Sequence, residues 1–299
     1  MLIAHISDPH IAGWGRKAYR IAPTAETLAH CIDHINRLAP KPDLAVVTGD
    51  ITNGGCAEEA DRAASLLGEL RCPYYIIPGN HDDRSHLWSV FGGRACPARA
   101  GAFMSYVIEG HELRLIALDS TRPGAPGGEI CASRASWLDQ RLAEAKGRPT
   151  VIFMHHPPVE CGVPETDLDG FLGADMLGDV VEKYPNIERI LCGHIHLQAH
   201  VRWRGTVVST APSTGMRLVL DLTMARPSEF DLAAPGYQLH YWSPQRNLVT
   251  HVIQVGEAEG PYPFEERPEP VPASDGQPSG SRPAVTDHDR RRGANAAEE

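Results

Sequence analysis

Five short apolar runs in this chain end the same way, at a carboxylate, an amide or an imidazole. That repeated punctuation constrains the fold more than any other feature. Residues 2–7 run into Asp8-Pro9-His10, 44–48 into Gly49-Asp50-Ile51-Thr52-Asn53, and 74–77 into Pro78-Gly79-Asn80-His81-Asp82. Residues 150–154 run into His155-His156-Pro157-Pro158, and 187–192 into Gly193-His194-Ile195-His196. Short apolar runs bounded by turn residues read as buried strands. Between them lie segments of helical period. Residues 25–38 place Leu28, Ile32, Ile35 and Leu38 on one face, 57–70 turn Leu66, Leu67 and Leu70 inward, and 133–145 and 173–184 read likewise. Strands are also expected at 105–108, 113–118, 201–203 and 206–210. Strand–helix–strand alternation implies an α/β fold with helices outside the sheets. The denser run of strands after residue 196 reads as a second, more antiparallel sheet. Ligands of open α/β sheets bind beyond the carboxyl ends of strands, so the five polar blocks are expected at one edge.

The 299 residues can fill one large core or two ordinary ones. From residue 257 the chain changes character, with 7 of the 25 prolines and 10 acids against 5 bases. Such a segment buries too little apolar surface to offset its ordering entropy, and disorder is expected from about Glu266. The expected organisation is a catalytic core over 1–212, a cap with returning strands (237–241 and 248–255) over 213–256, and a Pro-rich tail over 257–299. The formal charge of −10 argues against a general binder of nucleic acid or anionic membrane. No apolar run reaches the ~18–20 residues of a bilayer span. The start, Met1-Leu2-Ile3-Ala4-His5, lacks the basic and apolar regions of a secretory signal. Seven scattered cysteines without a C-x-x-C pair suit a reducing, cytoplasmic setting.

Each polar block alone is ordinary turn chemistry. Together they offer a donor set for cations. Asp8 and His10 at i and i+2 can grip one ion if the backbone is extended, and His194 and His196 can serve two adjacent ions. Asp50, in a Gly-flanked turn, has two oxygens with which to bridge. Imidazole and carboxylate donors suit Fe, Zn, Mn or Co, and no thiolate set is present. Two metals about 3.5–4 Å apart suit in-line displacement at phosphorus. Asn80, being neutral, leaves such a site a net positive charge with which to attract a phosphodiester.

At these residues the sequence resembles the calcineurin-like metallophosphoesterase superfamily, whose signature is D-x-H, G-D, G-N-H-[DE], H and G-H-x-H in that order. The five blocks are Asp8-x-His10, Gly49-Asp50, Gly79-Asn80-His81-Asp82, His155 and Gly193-His194-x-His196. The fuller wording, His5-Ile6-Ser7-Asp8 and Thr48-Gly49-Asp50-Ile51-Thr52-Asn53-Gly54, is similar to the class III cyclic-nucleotide phosphodiesterase and bacterial glycerophosphodiesterase branch. The resemblance implies a four-layer αββα sandwich of two mixed sheets. It assigns a first metal to Asp8, His10, Asp50 and His196, and a second to Asp50, Asn80, His155 and His194. His81 would contact the phosphoryl oxygen or protonate the leaving group, and Asn80 and Asn53 would also reach substrate. A metal-bound hydroxide would attack a small phosphodiester, either a cyclic nucleotide such as cAMP or a glycerophosphodiester. A dimer or larger homo-oligomer is implied as well.

Alternatives are a nuclease, disfavoured by acidity, a phosphomonoesterase or phosphoprotein phosphatase, disfavoured by the class III wording, and a non-catalytic scaffold, disfavoured by the complete ligand set. Neighbouring residues have plainer readings. His5 is expected to be buried behind the site, His156 to face away from His155, and Gly54 to shape its loop. His200 and Cys192 are expected to pack near the last block. His30, His34, His86, His111, His240, His251 and His288 carry no motif.

Overall fold

The computed structural model describes residues 1–225, 227–256, 259–260 and 262–264. The chain divides into two compact units, Met1–Glu257 and Ala258–Glu299. In the second, the Tyr262 hydroxyl donates to Glu259 Oε1 at 2.5 Å. The expected disorder from Glu266, and His288, lie outside the described residues.

The first unit begins with β1 (Leu2–Ile6), α1 (Thr24–Arg37), β2 (Leu44–Thr48), α2 (Ala57–Leu67), β3 (Tyr74–Ile77) and α3 (Arg84–Phe91). There follow β4 (Tyr106–Ile108), β5 (Arg114–Ala117), β6 (Gly128–Glu129), α4 (Ala132–Glu144) and β7 (Thr150–Phe153). Next are α5 (Pro164–Asp167), β8 (Phe171–Leu172), α6 (Ala174–Val181) and β9 (Ile187–Cys192). The series closes with β10 (His200–Trp203), β11 (Thr206–Thr210), β12 (Arg217–Leu218), β13 (Phe230–Asp231), β14 (Gly236–Ser243) and β15 (Asn247–Gln254).

Among the described residues, one sheet runs β15-β14-β1-β2-β3 and a second runs β10-β11-β9-β7-β5-β4. The crossovers β1-α1-β2-α2-β3 put their helices on one face, because parallel connections keep one hand. The parallel series β5-α4-β7-α6-β9 does the same for the second sheet. Layers of helix, sheet, sheet and helix result, as the sequence implied. β2 is buried at every position, which is why Leu44–Thr48 reads as an unbroken apolar run.

Three local expectations need correction. The strands after residue 196 do not form a sheet of their own. β10 and β11 extend the second sheet, whose middle is parallel and whose edges are antiparallel. β14 and β15 instead join the first sheet, with β14 antiparallel to β1, so these strands belong to the sandwich and not to a cap. The second helix stops at Leu67, before Gly68, and its buried face is Ala60, Ala63 and Leu67, with Leu66 only partly covered. Helix α3 was not anticipated. The Asp83 side chain accepts from the amides of Ser85 and His86 and caps it, with Leu87 and Phe91 inward.

No helix among the described residues is long and apolar enough to cross a membrane. All seven cysteines are free.

Candidate metal centre

Strand ends bring the five polar blocks together, but the backbone there is not extended. Asp8, His10, Asp50, His194 and His196 have φ of +50°, +43°, +46°, +72° and +55°. Non-glycine residues enter this left-handed region at a cost of about 1–3 kcal/mol, so the surroundings must hold them there. The pairing of Asp8 with His10 therefore rests on a curled chain, not on the extended alternation the spacing suggested. The curl is held by ladder bonds from His10 N to Asp50 O (2.9 Å) and Ile11 N to Ile51 O (2.9 Å). Ser213 Oγ donates to Asp8 O (2.7 Å) and Thr24 Oγ1 to His10 O (2.9 Å). Two glycines are dictated by crowding. Gly49 has φ +85° and lies against the His155 ring, and a Cβ on Gly193 would collide with Ser7 Oγ and Asp8 Oδ2.

Asp8, His10, Asp50 and His196 each offer one donor atom within 4.8 Å of the others. His10 Nε2 lies 3.0 Å from His196 Nε2 and 3.5 Å from Asp50 Oδ2, and His196 Nε2 lies 3.6 Å from Asp8 Oδ1. Four donors around one cation at bond lengths of about 2.0–2.2 Å stand roughly 3.3–3.6 Å apart. A second set faces the other side of Asp50. His155 Nε2 is 3.4 Å from Asp50 Oδ1 and 3.0 Å from Asn80 Oδ1, which is itself 3.1 Å from His194 Nδ1. One carboxylate thus turns its two oxygens toward two different groups of donors.

The outward ring nitrogens fix which atoms face inward. His155 Nδ1 donates to Thr48 O (2.6 Å) and His196 Nδ1 to Met216 O (2.9 Å), leaving the Nε2 lone pairs toward the centre. His194 is turned the other way, with Nε2 3.6 Å from Asp169 Oδ2. In the second set, acceptors thus point at acceptors, an arrangement that requires a cation or a proton between them. The electrostatics agree. Burial draws the His155 pKa down, yet Asp50 and Asp8 outweigh it and raise it to about 9. Burial pushes Asp50 up, but His155, His10 and His81 hold it well below the usual carboxylate range. His10 leaves its buried Nδ1 without a partner. The donor set fits two borderline cations without thiolate.

His81 stands beside the first set without being one of its four donors. Its Nδ1 donates to Asn53 O (2.8 Å), its amide donates to Asp50 Oδ1 (2.9 Å), and its ring meets that of His10 edge-on at 4.7 Å. Asn53 holds His81 through its carbonyl, and its buried side-chain Oδ1 has no protein partner. Asp82 locks two loops together, accepting from the amides of Ile51, Thr52 and Gly79 and from the Thr52 hydroxyl. Gly54 is exposed in its loop, its amide donating to Glu59 Oε2.

His156 departs from expectation. Its ring packs on His155 and His194, with centroids 4.6 and 4.7 Å away, because β7 has already ended and strand alternation no longer applies. Its nitrogens are taken by Ser120 Oγ (2.9 Å) and Pro126 O (3.0 Å), consistent with a structural role. Cys192 is buried, but His200 is exposed on edge strand β10 and paired with Gln198. Residues missed by sequence reasoning are Ser213, Thr24, Asp169 and the Met216 carbonyl. None of these had a sequence signal, unlike Asp82, the last member of G-N-H-D. Beside His194 and His156 opens a cavity of about 220 Å³ walled by Pro158, Val159, Asp167 and Phe171.

Comparison with known proteins matches residues 1–198 to the calcineurin-like phosphoesterase family. The chain is 37% identical over 265 residues to a probable glycerophosphodiester phosphodiesterase, GpdQ, of Arcobacter nitrofigilis, covering 88% of this chain and 97% of that one. It is 27% identical to the 3',5'-cyclic adenosine monophosphate phosphodiesterase CpdA of Escherichia coli, covering 85% and 90%. A dimetal phosphatase from Danio rerio shares the fold, with a TM-score of 0.59 at 14% identity over 86% of this chain and 99% of that one.

Proposed function

The chain belongs to the calcineurin-like phosphoesterase family, and from that premise we propose that it is a binuclear-metal phosphodiesterase acting on small diesters. Glycerophosphodiesters and cyclic nucleotides are the two candidate classes. The observation that carries this reading is Asp50, whose Oδ2 faces His10 and whose Oδ1 faces His155. Asp8, His10, Asp50 and His196 would hold one cation, and Asp50, Asn80, His155 and His194 the other. Two such cations, Fe, Zn, Mn or Co, would supply positive charge for the phosphoryl oxygens and activate water at neutral pH.

The protein's own part is positioning and proton handling. His81, fixed through Nδ1–H by the Asn53 carbonyl, keeps Nε2 for the substrate, where its imidazolium form would donate to the phosphoryl oxygen or pass the Nε2 proton to the departing alcohol and return to neutral imidazole. Asn53 would act on the substrate through His81, whose ring its carbonyl holds. The cavity beside His194 has room for one alcohol portion of a diester. The 37% identity to the glycerophosphodiesterase favours that class over cyclic nucleotides. Seven free cysteines support a reducing, cytoplasmic setting.

The test is hydrolysis of bis(p-nitrophenyl) phosphate, glycerophosphoethanolamine and cyclic AMP by Mn- or Co-loaded protein, with and without chelator. The reading predicts diesterase activity that chelation abolishes. Folded, metal-loaded protein without metal-dependent turnover on any of the three would overturn it.

A further inference from the structure

Behind Asp8 the protein buries an unusual line of polar side chains. Ser7, Thr48, His5 and His240 are fully buried. They connect in sequence. Ser7 Oγ lies 2.5 Å from Asp8 Oδ2, Thr48 Oγ1 2.7 Å from Ser7 Oγ, and His5 Nε2 2.8 Å from Thr48 Oγ1. His240 Nε2 lies 3.1 Å from His5 Nδ1, and Thr250 Oγ1 2.8 Å from His240 Nδ1. Arg189, on β9 of the other sheet, then places Nη1 3.0 Å from Thr250 Oγ1.

Counting hydrogens gives this line a direction. The Asp8 carboxylate has none to give, so Ser7 donates to it. Ser7 has only one hydrogen, so Thr48 donates to Ser7, and His5 must donate to Thr48 from Nε2. A neutral His5 then keeps a lone pair on Nδ1, which His240 can meet only with Nε2–H. His240 Nδ1 in turn accepts from Thr250, whose oxygen accepts from the guanidinium. Burial supports neutral rings, lowering the His5 pKa to about 3 and that of His240 well below its ordinary value. Every hydrogen bond therefore points from Arg189 toward Asp8, and bonds aligned in this way polarise one another.

We propose that these side chains form a one-way hydrogen-bond relay joining the two sheets, through which Arg189, Thr250, His240 and His5 orient Asp8 and set its strength as a metal ligand. The proposal rests on the reading of Asp8 as a ligand. Ser7 donates to Oδ2, while Oδ1, which faces His196, accepts only from the His194 amide and keeps a lone pair for the cation. His5 and His240 are positioning residues, since they act only through Thr48 and Ser7. Hydroxyls that merely filled space could be replaced by a methyl group without consequence at the centre.

Thr250 is the position to test, because four side chains separate it from Asp8. Thr250→Val keeps the shape and removes the donor, while Thr250→Ser keeps the donor. Nitrogen-15 NMR of histidine-labelled, metal-free protein at pH 7 should find His5 and His240 neutral with the proton on Nε2. Thr250→Val should move His240 toward the Nδ1–H form and weaken Co²⁺ binding at the set that contains Asp8 about threefold, and Thr250→Ser should restore both. Either ring found as the Nδ1–H form or as imidazolium in the parent protein would overturn the relay. So would a folded Thr250→Val protein with parental shifts and parental Co²⁺ affinity. The tautomers are read without metal or substrate. A parent protein with the drawn tautomers that binds no Co²⁺ would therefore count against the proposed function and not against the direction of the relay.

Discussion

The two donor sets that share Asp50 are built differently. The first, with Asp8, His10 and His196, contains a second carboxylate and is braced from behind at nearly every member. Ser7 and the His194 amide hold the Asp8 side chain, Thr24 and the Asp50 carbonyl hold the His10 backbone, and the Met216 carbonyl holds the His196 ring. The second adds to Asp50 no further carboxylate, only Asn80, His155 and His194, and His155 must give up a proton to bind a cation. His155 is rigidly tied to Thr48, but Asn80 is half-buried and His194 has for its outer nitrogen only a partly exposed Asp169 at 3.6 Å. More charge and firmer bracing mean less reorganisation on binding, so the first set should hold its cation more tightly. The second is the more adjustable half, and it adjoins the cavity.

Substitutions can break this contrast or sharpen it. The largest effect is expected at the shared residue. Asp50→Ala should abolish occupancy of the second set, weaken the first, and lower diesterase turnover by at least about a thousandfold. Metal analysis of the purified variant checks the occupancy. His81→Ala should separate chemistry from binding, keeping both metals while kcat falls by about 10²–10³-fold. Equal loss of metal in the two variants would contradict this division of roles.

Smaller changes should fall on one set alone. Asn80→Asp adds a carboxylate to the second set and should tighten its cation about tenfold. The added negative charge should also weaken capture of an anionic diester, seen as a raised KM. Asp169→Asn removes the charge behind His194 and should weaken only the second set, by about three- to tenfold. Calorimetric titration of Mn²⁺ would show whether the first-set affinity stays at its parental value.

How much of this was legible in the sequence depended on residue type. The donors announce themselves because each is a polar residue within four positions of the end of an apolar run, as Asp8, Asp50 and His155 are. The strands and helices that carry them follow from period and from turn residues. What braces the donors left no such trace. The Met216 carbonyl has no side-chain signature, and Ser213 and Thr24 are ordinary residues whose roles depend on distant chain. His5 and His240 meet across 235 positions of sequence, through a β1–β14 pairing that the expectation of a cap did not contain. The left-handed backbone of five donors was equally hidden, since Asp and His show no outward sign of positive φ. An extended backbone through Met154 would turn His156 away from His155, but β7 ends at Phe153.

The most direct test is titration of the metal-free protein with Co²⁺, followed by calorimetry and visible absorption. Two cations should bind per chain in two distinguishable steps, the tighter lost in Asp8→Ala and the weaker in Asn80→Ala, with diesterase activity appearing as the second step fills. A single class of site, or full activity with only one cation bound, would contradict a centre built from two unequal sets around Asp50.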